Sequence, residues 1–430
     1  MPIMTATRTV RRDAAGPRRL AVDIAVLGAG IAGVSAALEA ARLGRKVALI
    51  DAAPSLGGQS VAALIGTFCG LYANGPDPYQ VTHGIADEIL ADLAAEGATS
   101  DRFGRNTRIV MYDEVALGRW IERKVLAESN IQPLLGAMLL GVERDGRRIT
   151  ALRLATRFGE LALSAAGFID ASGDAALAWQ AGLACREPAD GPVYGTQMFV
   201  IEGLDEAAAP TREQVEARQG EAAGRYGLTR RDGFVFAFPG KGRALVNMTH
   251  HETPLDAVAM SRTALAGRRE ADKVLAFLKA EFPDAFADAA IRTYGLLGVR
   301  QTRWIAGRHQ LTIDEVRGEQ TFADAILRCS WPVELHDRAE GAYWEVFGDD
   351  HLHYVPLRSL THDETDNLIA AGRCIDADVA ALSTVRVMGP CIAMGAAAAH
   401  ALDLAGAGSV HQIDVAALQR RLADNLQRTD

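Results

Sequence analysis

The chain has 430 residues, of which 49% are hydrophobic and 23% charged, with a formal net charge of -9. That length allows roughly two or three domains around a large core, and the composition is that of a globular protein. The acidic balance argues against a nucleic-acid partner, the five scattered Cys have no zinc spacing and read as reduced cytoplasmic thiols, and no uncharged apolar stretch reaches membrane-spanning length.

Residues 1–19 carry Arg8, Arg11, Arg12, Arg18 and Arg19 among Ala, Thr, Gly and Pro. They read as a disordered arm. Arg11-Arg12 does not read as an export signal, because the apolar segment that follows has a structural use.

That segment, Ile24 to Leu27, reads as a buried parallel strand. Gly28, Gly30 and Gly33 follow in the spacing G-x-G-x-x-G, then an Ala- and Leu-rich helix to about Leu43, with Gly44 as its stop. A second apolar run, Val47 to Ile50, ends on Asp51. This is a complete βαβ unit with an acid at the right distance. Gly28 permits the tight turn, Gly30 lets a pyrophosphate reach the backbone, and Gly33 lets helix and strand touch. The helix N-terminus offers free N–H groups to phosphate, and Asp51 can accept from a ribose diol. On these residues the ligand is a dinucleotide, FAD or NAD.

Gly57-Gly58 is a second place where backbone can approach a flat cofactor. Val61 to Tyr72 is apolar and rich in small residues. Cys69 within it reads as a small buried hydrophobe, the alternative being a thiol beside the cofactor or a covalent attachment point. Helical periodicity runs from Gln80 to Ala95 and from Glu114 to Glu128. Ile131 to Leu140, Ile149 to Thr156 and Glu160 to Ala165 read as a β-meander inserted across the sheet, with a turn at Asp145-Gly146. Gly167 to Asp174 returns as an apolar strand ending in small residues, suited to the edge of a dinucleotide cleft.

These segments resemble the FAD-dependent oxidoreductase family within the glutathione-reductase-like flavoproteins, related to the succinate dehydrogenase and fumarate reductase flavoproteins. The residues that carry the resemblance are Gly28 to Asp51, Leu56 to Gly58 with Gly66 to Tyr72, Ile169 to Asp174, Gly298 to Gly307 and Gly372 to Ala401. The resemblance implies an α/β fold: a Rossmann-like FAD-binding domain with a β-meander insertion, and an α+β substrate domain inserted in the chain. The expected boundaries are 20–185 and 361–406 for the first domain, 186–360 for the second, and 407–430 for a C-terminal helix. It further implies that Gly28, Gly30, Gly33 and Asp51 hold the diphosphate and ribose. Leu139 would meet the adenine, and Gly173 and Asp174 the phosphates and ribityl chain. The segment with Arg386, Val387 and Cys391 would close over the flavin, with a helix N-terminus at Pro390 and Cys391 aimed at the ring.

The middle of the chain is rich in Trp and His. Phe234 to Phe238 and Ala244 to Thr249 read as a hairpin, and Pro254 to Phe282 as a helix. Gly240-Lys241-Gly242 has no third glycine and no helix after it, so no second dinucleotide unit is expected. Arg300 and Arg303, three apart, would share one face of a helix. One of them would anchor an acid substrate, the alternative being a domain-interface ion pair. Gln301 stands where the resembled family often carries Glu. His336 reads as a general base and Tyr354 as a second catalytic candidate. His351 and His353 lack a third clear ligand, so no metal is expected.

The function expected is an FAD-dependent oxidoreductase moving a hydride between a small organic substrate and flavin N5, with oxygen or a carrier as external electron acceptor. A flavoprotein subunit of a larger electron-transfer complex, and an FAD-holding module with a non-redox role, are the alternatives. Self-association stays open.

Overall fold

The structure, a computed structural model, describes residues 7–9 and 16–429. Its main sheet is built from β1 (Arg18–Leu27), β2 (Val47–Asp51), β3 (Ile131–Leu135), β4 (Met138–Asp145), β5 (Arg148–Thr156) and β6 (Gly159–Asp170). The order is β3-β2-β1-β6-β5-β4. Pairing is parallel from β3 to β6 and antiparallel from β6 to β4. The 12-residue β6 forks the sheet. Its first half pairs with β5, and its last residues, Phe168 to Asp170, pair in parallel with Leu368–Ala370. The meander therefore extends the main sheet and is not a separate layer across it.

Two helices meet against this sheet. Ile31–Arg42 is nearly all small and apolar on its buried positions. Met388–Ala405 is apolar almost all round, as a fully enclosed helix must be. Their contact is close enough that a Cβ on Gly395 would lie 2.2 Å from the carbonyl oxygen of Ala32. The Ser35 hydroxyl donates to Ile392 O across it at 2.8 Å. Met388–Ala405 is long and apolar enough to cross a membrane by length and composition, but 78% of it is buried within the protein. It is a core helix.

A second, antiparallel sheet is ordered Phe234–Phe238, Arg243–Asn247, Thr196–Glu202, Ala290–Gly298. The helix Ala257–Glu281 covers one face, burying Val274, Phe277 and Leu278 against Phe199, Ile201 and Val246. The hairpin turn Gly240 to Gly242 has its three N–H groups bound to the Glu206 carboxylate at 2.6–2.8 Å. This glycine pair is thus a turn closed by the protein's own anion.

Some sequence expectations shift. β1 begins at Arg18, so Arg18 and Arg19 pair with Leu161 and Ala162 and do not belong to an arm. The expectation for Arg11 and Arg12 falls outside the described residues. Residues 407–430 hold two short helices, Val415–Arg421 and Ala423–Gln427. The expected substrate unit divides: Phe199 to Ala289 has its own core, whereas Trp304, Ile326, Trp331 and Leu360 belong to the core of the first unit. The stretch after Gly298 therefore returns to the main body well before residue 361.

Gly395→Ala should force the two core helices apart, and overpacking of this kind costs about 1–3 kcal/mol. Gly220→Ala, exposed in the helix Arg212–Ala222 with nothing within 4 Å of the added carbon, should gain about 0.5–1 kcal/mol. Thermal unfolding of the two variants should move Tm in opposite directions.

Candidate functional site

A cavity of about 450 Å³ lies where the carboxyl ends of β1, β2 and β6 meet the second sheet and the core helix. Its floor includes Gly28, Gly30, Ile31, Ala32 and Asp51. Gly28 sits at φ +101, and a Cβ there would lie 2.2 Å from Ala171 O. A Cβ on Gly33 would lie 1.9 Å from Gly28 O. These two glycines pull strand, turn and helix together. Gly30 differs: a Cβ there would meet nothing within 4 Å, because the space above it is the cavity. The helix Ile31–Arg42 starts there with no side-chain cap and no acid in its first turn, so its N-terminal donors face the same space. Asp51 is held at the end of β2 by the N–H groups of Ala29 at 2.7 Å and Ala53 at 2.8 Å. Its carboxylate has lone pairs left for a diol.

Opposite, Gly173, Asp174, Gly372 and Arg373 line the cavity. The loop Gly173 to Ala175 is fixed by the buried Cys374 sulfur, which accepts from the Gly173 and Ala175 N–H groups. Gly173 must be glycine: at φ +81, its Cβ would strike the Arg373 guanidinium. Asp174 accepts from the Thr302 hydroxyl. Arg373 Nη1 and Arg386 Nε are buried without a partner. The lining is thus rich in donors and helix-end charge, and fits a dinucleotide diphosphate.

At the far end Cys69, Arg386, Val387, Met388 and Cys391 close the cavity. The core helix starts at Met388, with Pro390 in its first turn. Gly389 N–H is taken by Cys69 O at 2.9 Å and Pro390 has none. This end therefore offers its dipole more than free donors. Burial first, and Glu334 second, push the Cys69 thiol far up. Burial also pushes the Cys391 thiol up to about 12. Burial therefore disfavours a thiolate at both positions.

Arg300 also lines the cavity and donates from Nη1 to Tyr194 O at 2.7 Å. Among the described residues Arg300, Arg373 and Arg386 make no ion pair. Burial, then the Arg386 and Arg230 guanidinium groups, push Arg300 well below its ordinary value. Glu334 and Asp232 act in the opposite sense and offset this only in part.

The structure separates several residues expected together. Residues 299–303 are irregular and form no helix, so Arg300 and Arg303 do not share a face. Arg303 stacks on Trp179 at 4.1 Å and bonds Glu187 at 3.2 Å. Gln301 is buried with neither amide atom partnered. Tyr354, on His353–Pro356, and Leu139, on β4, are not in the cavity lining. Gly33 and Gly57 lie behind it, Gly57 donating to Ala29 O at 2.8 Å and holding a positive φ. His336 is also behind the wall. It is 1% exposed, with Nε2 at 3.0 Å from Glu334 Oε1 and Nδ1 at 2.8 Å from His250 Nε2. Glu334 is the member that lines the cavity. Sequence reasoning missed Glu334, Arg373 and His250. Glu334 was findable, because it alternates with His336 on the strand Val333–Arg338 and shares its face.

Comparison with known proteins gives the family. The description "FAD dependent oxidoreductase" matches residues 23–422. A search of curated proteins finds no match. Among solved structures, a probable FAD-dependent monooxygenase, pqsL, from Pseudomonas aeruginosa is 17% identical, over 94% of this chain and 93% of that one, with a TM-score of 0.44. The p-nitrophenol 4-monooxygenase PnpA from Pseudomonas putida DLL-E4 is 10% identical over 95% and 81%, TM-score 0.45. A geranylgeranyl bacteriochlorophyll reductase-like protein from Thermoplasma acidophilum is 13% identical over 90% and 78%, TM-score 0.43. At these values the likenesses bear on neither substrate nor reaction.

Gly30→Leu fills open space at an extended backbone position. It should fold with a near-normal Tm yet lose FAD affinity by tenfold or more, at least about 1.4 kcal/mol, read by flavin fluorescence on titration. The raised Cys69 thiol predicts that acid precipitation leaves all flavin in the supernatant and that Cys69→Ser does not change this. Colour in the wild-type pellet would contradict it.

Proposed function

Because the chain belongs to the FAD dependent oxidoreductase family, we propose that it moves a hydride between a small organic acid and the N5 atom of FAD held in this cavity. FAD, when bound, supplies the two-electron chemistry. The chain supplies the rest. The glycine turn, Asp51 and the first helix end hold the dinucleotide. Arg373 and Arg386 place positive charge along it. Arg300 binds and orients the substrate anion.

The single observation that carries this reading is the set of three arginines lining one cavity with no carboxylate in ion-pair contact among the described residues. A diphosphate and the reduced flavin account for part of that positive charge. Arg300 stands at the second-sheet side, next to Leu297, Gly298 and Val299, where a separate anion would sit. A planar guanidinium can grip a carboxylate through two parallel hydrogen bonds. The apolar neighbours Met198 and Leu296 leave room for a small carbon skeleton and help to exclude water.

The electron acceptor in this reading is oxygen or a carrier from outside the chain. The turn at Gly240, already closed by Glu206, supports the lack of a built-in second nucleotide site. Five unpaired thiols support a reducing, cytoplasmic setting. Dehydrogenase is the direction we assign, and the same groups serve a reductase.

The test is anaerobic flavin absorbance against a panel of amines, alcohols and acids. Bleaching by acids and not by their amides or esters is the expected result. Bleaching only after a partner protein is added would replace this reading with the electron-transfer subunit. Arg300→Gln should keep its FAD and raise KM for the acid by ten- to a hundredfold, in line with the roughly 1.5–3 kcal/mol of a hydrogen bond to a charged group.

A further inference from the structure

The buried chain behind the cavity wall has more contacts than two neutral imidazoles can supply with protons. His250 Nδ1 lies 3.2 Å from the carbonyl oxygen of Ala339. His250 Nε2 lies 2.8 Å from His336 Nδ1, and His336 Nε2 lies 3.0 Å from Glu334 Oε1. Each contact needs one proton. A carbonyl only accepts, so His250 must carry its proton on Nδ1. Its Nε2 is then a lone pair, and His336 must donate to it from Nδ1. That leaves His336 Nε2 without a proton, facing a carboxyl oxygen. Three contacts require three protons, and two neutral rings bring two.

We propose that a third, exchangeable proton is held between Glu334 and His336, and that Glu334 delivers it to the substrate in the cavity. Glu334 is the catalytic residue of this pair, since it lines the cavity. His336 and His250, 1% and 4% exposed, are positioning residues. The proposal rests on the reading of the cavity as the reaction site. In the step, the Glu334 O–H bond breaks and the proton goes to the substrate atom that bears the free electron pair after hydride addition. A carboxylate remains, and no electrons move with the proton. Two lone pairs then face each other at His336 Nε2 and Glu334, which favours recharging. In substrate oxidation the step runs in reverse: Glu334, having first released its exchangeable proton to solvent, takes up the proton that leaves the substrate.

The surroundings act on where the proton rests. Arg300, Arg230 and Arg386 face the chain from three separate segments, with Asp232, Cys69 and the Trp331 indole nearby. The indole N–H donates to Glu334 Oε2 at 3.1 Å, and Arg386 to the Glu334 carbonyl at 2.9 Å. Burial, then Arg300, Arg230 and Arg386, push His336 well below its ordinary value. This disfavours an imidazolium at His336. An anion on Arg300 would relieve the positive field and tighten the hold on the third proton.

The test is NMR of the whole protein with isotope-labelled histidine, near neutral pH, with and without FAD. Expected for His250 and His336 is protonation of Nδ1 on both rings, with His336 Nε2 in a hydrogen bond to a proton it does not own. Both rings protonated on Nε2 instead would give a two-proton chain and overturn the proposal. Glu334→Gln supplies an amide N–H in place of the acid proton. It should keep the His336 tautomer and the Tm while losing at least a hundredfold in the rate of flavin bleaching by substrate. Glu334→Gln with an unchanged bleaching rate would also overturn the proposal. If Glu334→Gln does not fold, the wild-type tautomers still decide. A three-proton chain in a protein that no acid bleaches would sink the substrate reading alone.

Discussion

Everything in this fold is arranged around a place where backbone must touch backbone. The turn from β1 into its helix packs so closely, on itself and on the residue after β6, that a Cβ on Gly28 would meet Ala171 O at 2.2 Å and one on Gly33 would meet Gly28 O at 1.9 Å. Only glycine permits that approach. The gain is a helix end with no side-chain cap that opens onto a cavity. The second glycine pair completes it, since Gly57 donates to Ala29 O and Gly58 reaches the backbone of Gly30. A sheet with parallel strands, buried on both faces, holds the turn rigid.

The second constraint is charge. Arg300, Arg373 and Arg386 come from three separate segments and converge on one cavity. Desolvated cations without counter-ions are unfavourable in the protein alone. They make sense as part of a holoprotein in which a diphosphate, a reduced ring and an acid bring the missing negative charge. Stability is spent here on binding, which is where natural folds accept such local conflict.

Much of the dinucleotide cradle was legible in the sequence, because its signal is local. Glycine spacing, a preceding apolar strand, a small-residue helix and Asp51 all lie within one βαβ unit. The late helix was legible for the same reason. The substrate side was not. Arg300 and Arg303 looked paired because helical spacing was assumed, and an irregular segment sends them apart. Tyr354 looked catalytic by residue type, but its strand faces elsewhere. His336 carried a correct chemical hint with the wrong exposure. Its partner His250 is 86 residues away, and no periodicity can announce a contact between a strand and a segment that distant. The boundary near 360 was misplaced because the returning chain joins the first core at Trp304, a tertiary fact with no compositional edge.

The most direct measurement is titration of flavin-stripped protein with FAD, followed by an anaerobic absorbance difference spectrum on adding a simple carboxylate. The account predicts equimolar FAD binding, and a shift of the flavin bands with the carboxylate that Arg300→Gln abolishes. Folded protein that takes up no FAD, or bound flavin whose bands ignore every carboxylate, would contradict it.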